Sequence, residues 1–361
     1  MDRNRHYAII MAGGIGSRFW PMSKENMPKQ FLDILGMGKS LLQMTVERFE
    51  KIIPTENIII VSNSKYKKLI NSQLPQIVDE NLLMEPTSKN TAPCVAYASY
   101  KIRVKNENAL CVIAPSDHLI TDEAAFLEYI DNAFAFAAVE DVLITLGIQP
   151  HRPDTGYGYI QYDIKKDKEN FKKVVTFTEK PHLELAQTFL DSGDFLWNAG
   201  IFIWNVEAAI KAFKSYAEEI DELFGAISIN YYTDLEEESI REAYEKSASI
   251  SIDYAIMEKA NNVYVLPSSF GWSDLGTWKS LYDFAPKDGS NNFILGENIH
   301  VEDTTNSLII SEGERLVVID GLEDVFVVST DKAVLVCHQK NEGKIKHMVK
   351  KIREKFNGYF N

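Results

Sequence analysis

The residues best suited to chemistry stand directly behind an apolar run. Tyr7-Ala-Ile-Ile-Met-Ala12 leads into Gly13-Gly14-Ile15-Gly16-Ser17-Arg18, and Pro28-Lys29-Gln30-Phe31 follows. Glycines after a buried strand let the backbone approach an anion and aim N–H groups at it. Arg18 offers bidentate contacts to phosphate oxygens, and Lys29 a compact positive charge. A dinucleotide fingerprint requires glycine where Phe19 stands, and a Walker loop requires glycine where Asp33 stands, so both are excluded. Taken alone, the string also fits an ordinary glycine turn with two surface cations.

Two further stations are equally double-edged. Pro115-Ser116-Asp117-His118 follows the apolar run Ala109–Ala114. Ligands of open α/β sheets bind outside the carboxyl ends of strands. A carboxylate there, beside phosphates, suits Mg²⁺, which takes one or two carboxylates plus substrate oxygens. Asp117 equally fits an N-cap for a helix beginning near Asp122, and His118 is read as structural. Asn90 and Thr91, within Glu85-Pro-Thr-Ser-Lys89-Asn90-Thr91-Ala-Pro93, stand where a helix start can meet a ligand or simply be capped.

The elements that must position these residues alternate. Strands are expected at 7–12, 57–62, 109–114 and 142–147, with helices near 40–51, 92–104 and 122–139. That alternation argues for an α/β fold with a Rossmann-like, mostly parallel mixed sheet flanked by helices. After Gly147 shorter strands surround Thr155-Gly156-Tyr157-Gly158-Tyr159 and Val174–Phe177. Helices are expected at 183–190, 206–213 and 236–244. Pro286-Lys-Asp-Gly-Ser-Asn-Asn292 is a linker signal. Short strands recur beyond it, at 306–310, 316–319, 325–329 and 333–337, and the basic stretch Lys340–Asn361 reads as a solvated or docking helix. The expected division is a catalytic region, 1–285, and a small C-terminal β-rich domain with a terminal helix, 286–361.

The chain of 361 residues carries 38 basic and 52 acidic side chains, net −14. A field of that sign repels nucleic-acid backbones, so any phosphate site must be built locally. Three scattered cysteines, Cys94, Cys111 and Cys337, provide neither a disulfide framework nor a metal-binding pair motif. No signal peptide and no apolar run of membrane-spanning length is read, so a soluble cytoplasmic protein without membrane partners is expected.

The extended string Gly13-Gly14-x-Gly16-x-Arg18-x-Trp20-Pro21-x-Ser23, with Pro28-Lys29-Gln30-Phe31, resembles the signature of the sugar-1-phosphate nucleotidylyltransferases, in the form carried by mannose-1-phosphate guanylyltransferases. Thymidylyl and uridylyl relatives usually carry Leu-x-Pro-x-Thr instead. The resemblance continues in order through Asn90-Thr91, Ser116-Asp117, Gly156, Phe177-Thr-Glu179-Lys180-Pro181, Trp197-Asn198, Ser251–Lys259 and Gly271-Trp-Ser-Asp274-Leu-Gly-Thr-Trp278. It implies that Gly13, Gly14, Gly16, Asn90, Thr91 and Ser116 bind nucleotide, and that Gly156, Glu179 and Asn198 bind sugar. Arg18, Lys29 and Lys180 would be catalytic, and Asp117 and Asp274 would hold Mg²⁺. Ser88-Lys89 replaces the family's usual Gly-Arg, which puts Lys89 in doubt. Trp272 and Trp278 are read as packing residues.

The implied reaction joins GTP and α-D-mannose 1-phosphate to give GDP-mannose and pyrophosphate. The sugar phosphate is already an anionic nucleophile, so the task is positioning and charge neutralisation rather than proton removal. A heptose 1-phosphate guanylyltransferase and a non-catalytic sugar-nucleotide sensor are the alternatives. Phosphomannose isomerase activity is not expected, because too few residues follow Cys337 for the cupin domain it requires. A homodimer through the C-terminal region is the implied assembly.

Overall fold

The computed structural model describes every residue except Met1, Ile15, Glu169, Asn357, Tyr359, Phe360 and Asn361. The third position of the glycine string and the end of the expected terminal helix therefore lie outside the described residues. The chain gathers into two compact units. One comprises Met1–Gly13, Thr45–Ser116 and Ile120–Trp272. The other comprises Gly14–Met44, Asp117–Leu119 and Ser273–Asn361.

The first unit is built on a nine-stranded mixed sheet among the described residues. Its strands are β1 (His6–Met11), β2 (Ile58–Asn63), β3 (Leu82–Glu85), β4 (Leu110–Pro115), β5 (Leu143–Ile148), β6 (Tyr159–Lys168), β7 (Phe171–Thr178), β8 (Phe195–Asn205) and β9 (Val263–Ser268). The order across the sheet is β3-β2-β1-β4-β8-β5-β9-β7-β6. The half formed by β1 to β4 is parallel, with Ala8 opposite Ile58 and Val112. Ala8, Ile9 and Ile10 are wholly buried, as both faces of a helix-covered parallel sheet require. Helices α2 (Lys67–Gln73), α3 (Thr91–Lys105) and α4 (Glu123–Ala137) punctuate this half, together with the part of α1 (Leu41–Glu50) from Thr45 onward. α3 is buried continuously from Ala92 to Ile102, which is why its sequence is apolar around most of its circumference.

Beyond β4 the sheet turns mixed. β8 runs antiparallel to both β4 and β5, while β9 is parallel to β5. The strands β3 and β9 were not anticipated. Pro267 inside Val263-Tyr-Val-Leu-Pro-Ser268 argues against a strand, because proline lacks a ladder donor; here it stands opposite Gly147. Further helices, α5 (Leu183–Ser192), α6 (Val206–Tyr216), α7 (Glu218–Ala226) and α8 (Glu236–Lys246), complete this unit.

Among its described residues the second unit holds α9 (Trp278–Phe284) and the short strands β10 (Phe293–Leu295), β11 (Ile299–Glu302), β12 (Leu308–Ser311), β13 (Val317–Asp320), β14 (Val325–Ser329) and β15 (Val334–His338). Alternate strands stack in parallel: β10 on β12 on β14, and β11 on β13. Alternation along a strand sends neighbouring side chains to opposite faces. Leu308, Ile310, Phe326 and Val328 accordingly join a core with Phe19, Trp20, Trp278 and Leu281. Ile309, Val325 and Val327 join a separate core with Ile319. With both faces covered, β12 and β14 are buried throughout. The last helix among the described residues is α10 (Ile345–Lys355), shorter than the basic stretch from which a terminal helix was read.

Candidate active site

In the second unit, Gly16 adopts φ 66° and opens the turn Ser17–Phe19. A side chain at Gly16 would collide with Cβ of Lys29, so glycine is required there on two counts, backbone conformation and close approach. Phe19 is buried against Trp278, with ring centroids 4.7 Å apart, which anchors the turn and leaves Arg18 exposed. Lys29 is only 3% exposed. Its Nζ donates to the carbonyl of Asp274 at 2.8 Å and of Leu275 at 2.9 Å, and pairs with Asp117 Oδ2 at 2.8 Å. These three partners use the three donors an ammonium has.

Asp117 and Asp274, far apart in sequence, thus meet around one buried lysine. They line a cavity of about 360 Å³ together with Gly16, Ser17, Arg18, Phe19, Lys29, His118, Leu275, Gly276 and Lys346. Burial alone would raise the Asp117 carboxyl, but Lys29 and His118 outweigh it and hold it below its usual range. Asp274 is turned by its own loop: Oδ1 accepts from Gly276 N at 3.0 Å. Leu275 adopts φ 44° while fully buried. A branched side chain in that region is strained, and such strain gathers at working sites. Here it turns the Leu275 carbonyl onto Lys29.

In the first unit, the ends of the parallel strands carry Gly13, Glu85 and Ser116. Gly13 is exposed, and a Cβ there would stand 3.7 Å from Glu85 Oε2. Glu85 is buried and accepts from the Tyr244 hydroxyl at 3.1 Å. Burial pushes its carboxyl up to about 7, against the lowering effect of that hydrogen bond. Gly14, which begins the second unit, has open space on its Cβ side. Ser116 is buried, and its N–H is spent on the Met11 carbonyl at 3.0 Å. Asn90 caps α3 through its side chain, accepting from Thr91 N at 2.9 Å, in a backbone conformation (φ 68°, ψ −166°) that is otherwise nearly confined to glycine. The Thr91 hydroxyl accepts from Ile252 N at 2.9 Å. Lys89 donates to the Ser247 carbonyl at 2.9 Å.

A second cluster of the same unit surrounds Asn198 on β8. Its Nδ2 donates to Asp253 Oδ1 at 2.9 Å, and its Oδ1 accepts from Thr145 Oγ1 at 3.0 Å and Gly200 N at 3.1 Å. Asp253 is pushed up to about 6, first by burial and then by the Glu179 charge. Glu179 is ion-paired with Lys180, which adopts φ 46°. A Cβ at Gly158 would meet Glu179 Oε2 at 2.5 Å and Asn198 Cβ at 3.3 Å. Gly156 faces only Asp154, whose Oδ1 accepts from its N–H at 2.8 Å. The glycine that makes room for the cluster is thus Gly158 rather than Gly156.

Residues 7–291 match the Nucleotidyl transferase family model, and residues 296–352 match the MannoseP isomerase/GMP-like beta-helix domain. The chain belongs to the nucleotidyl transferase family. It is 36% identical to a mannose-1-phosphate guanylyltransferase of Salmonella montevideo, over 96% of this chain and 73% of that protein. It is also 36% identical to the xanthan biosynthesis protein XanB of Xanthomonas campestris, again over 96% and 73%. The crystal structure of a mannose-1-phosphate geranyltransferase from Thermus thermophilus superposes with a TM-score of 0.86 at 29% identity, covering 97% of this chain and 99% of that one. The resemblance read from the glycine string and the stations behind it is therefore borne out, as is a mixed α/β fold with a C-terminal β domain. No helix among the described residues is long and apolar enough to cross a membrane.

Within this nucleotidyl transferase frame, sequence reasoning passed over four residues. Glu85 was quoted only as the first residue of the string that leads into α3. Asp253 sat in a quoted string without a role. Gly158 was overlooked beside Gly156, and Lys346 lay in a stretch read as surface. An apolar run ending in a lone carboxylate, as in Leu82-Leu-Met-Glu85, was the signal available for the first.

Proposed function

We propose that the chain transfers the guanylyl group of GTP to α-D-mannose 1-phosphate, giving GDP-mannose and pyrophosphate. A phosphate oxygen of the sugar phosphate attacks the α-phosphorus and forms a new P–O bond. The bridging α–β bond breaks on the opposite side, and its electron pair leaves with pyrophosphate. Both reactants are anions, so positioning and charge neutralisation carry the catalysis. The observation that carries this reading is the cavity in which Arg18 and Lys29 meet Asp117 and Asp274 behind the glycine turn.

In this reading Arg18 and the backbone of Gly13, Gly14 and Gly16 hold the triphosphate. Lys29 sets the geometry of both aspartates and lends charge. Asn90, Thr91 and Ser116 shape the nucleotide site. Glu85, in its ionised form, accepts from the adjacent N1–H and N2–H groups of guanine, a pair of donors that a carboxylate can meet. Glu179, Asn198 and Gly156 meet the mannose hydroxyls, and Lys180 orients the attacking phosphate.

The donor set of Asp117 and Asp274 fits Mg²⁺. Two carboxylates face one cavity, and among the described residues no group of three or more acidic, histidine or cysteine side chains forms an all-protein cage. When bound, Mg²⁺ would neutralise phosphate oxygens and complete its shell with them.

The functional division falls after Ala285, and the protein works in the cytoplasm as a homodimer through its C-terminal strands. What supports the dimer is exposed apolar surface there: Val334 and Val336 on the edge strand β15, and Leu316 and Val318 beside and on β13. Light scattering that gives twice the chain mass would bear it out, and a monomer would remove it.

The activity is tested by pyrophosphate release from mannose 1-phosphate with each of the four nucleoside triphosphates. Release with GTP far above the other three is expected. Equal or faster release with another nucleotide, or with a heptose 1-phosphate, would replace the reading.

A further inference from the structure

We infer that Lys346, on the C-terminal helix, belongs to the active site and holds the leaving pyrophosphate. The inference rests on the reaction proposed above. It places a residue of the C-terminal β domain in machinery otherwise drawn from the region before Ala285.

Lys346 lines the same cavity of about 360 Å³ as Gly16, Arg18, Lys29, Asp117 and Asp274. Its position is fixed by packing. Ile345 and Val349 are buried in the core that also contains Phe19 and Trp278, and Met348 and Ile352 pack on it. α10 also touches the Ser17–Phe19 turn. Just before the helix, Glu342 Oε1 accepts from Lys279 N at 2.8 Å, which ties the approach to α9. The ammonium of Lys346 is therefore delivered by a packed helix, not by a loose tail.

Among the described residues, the side chain of Lys346 makes no hydrogen bond and no ion pair. The same holds for Arg18. Lys29 differs, since all three of its donors are engaged. The cavity's cations with open donors are thus Arg18, whose charge also acts on the Glu342 carboxyl, and Lys346. In a chain of net charge −14, two such cations beside a glycine turn suit a polyphosphate, to which their hydrogen bonds are stronger than to a neutral hydroxyl. The sugar phosphate already has a lysine in the proposed reaction, Lys180, leaving Lys346 for the β and γ phosphates.

The test compares wild type with Lys346→Ala, Lys346→Arg and the control Lys350→Ala, an exposed position on the same helix. The reverse reaction is run from GDP-mannose and pyrophosphate. Lys346→Ala is expected to raise the KM for pyrophosphate roughly tenfold, the size of a charge-assisted hydrogen bond discounted for exposure. The KM for GDP-mannose and the melting temperature should hold, Lys346→Arg should recover most of the loss, and the difference should shrink at high salt. An unchanged KM for pyrophosphate, or an equal effect from Lys350→Ala, would overturn the inference. Calorimetric titration with inorganic pyrophosphate requires no turnover. If wild type makes no GDP-mannose but binds pyrophosphate roughly tenfold better than Lys346→Ala, the proposed reaction fails while the site stands.

Discussion

The cavity around Lys29 and the cluster around Asn198 solve opposite problems. The first is a phosphate site in an acidic protein. It combines glycines that admit backbone, a lysine locked between two aspartate segments, and two cations with open donors. The second is a lattice of acceptors. Asn198 is held at both ends of its amide, and Glu179 lies close enough to raise the cost of charging the buried Asp253 carboxyl. Anions are met by leaving charge uncommitted, and hydroxyls by fixing the directions of neutral and negative acceptors beforehand.

If that contrast is right, the largest effects come from the cavity. Asp274→Ala and Lys29→Ala should each lower turnover by about 10²–10³, measured by pyrophosphate release, with circular dichroism unchanged. Near-normal turnover in either would remove the cavity from the mechanism. Next comes the lattice. Asn198→Ala strands Asp253 and Thr145, so unfolding in urea should show a loss of about 2–3 kcal/mol together with a raised KM for mannose 1-phosphate. Stability loss with no change in KM would make Asn198 structural only.

Smaller effects sharpen the picture. Glu85→Gln should raise the KM for GTP by roughly tenfold while leaving the KM for mannose 1-phosphate alone. The opposite pattern would move Glu85 to the other substrate. Asp253 carries a carboxyl raised to about 6 in the native state. The folded protein therefore binds its proton more tightly than the unfolded chain, and the resulting stabilisation is lost as the pH rises through about 6. Between pH 5 and pH 7 wild type should lose about 1 kcal/mol from this group. Asp253→Asn should flatten that slope in urea titrations, and an unchanged slope would contradict the assignment.

Much of this was legible in the sequence, and the limits are physical. Buried parallel strands announce themselves as apolar runs, so β1, β2, β4 and β5 were read within a residue or two of their bounds. The glycine string was legible because spacing alone separates it from the dinucleotide and Walker alternatives. β3 and β9 were missed because one has only four residues and the other contains proline. Lys346 was missed because a basic run on a helix looks solvated whichever surface lies opposite it. The buried state of Lys29 was equally hidden, since only the folded chain brings Asp117 and the Asp274 carbonyl to one ammonium. Gly158 shows the same limit: two glycines two positions apart are indistinguishable until Glu179 lies over one of them.

The most direct test of the central claim is a crystal structure of the protein with GDP-mannose and pyrophosphate bound. The account places pyrophosphate within hydrogen-bond reach of Arg18 and the backbone that follows Gly13, with Asp117 and Asp274 facing the phosphates. Phosphates lying outside the cavity that Lys29 organises, with Arg18 and both aspartates untouched, would contradict it.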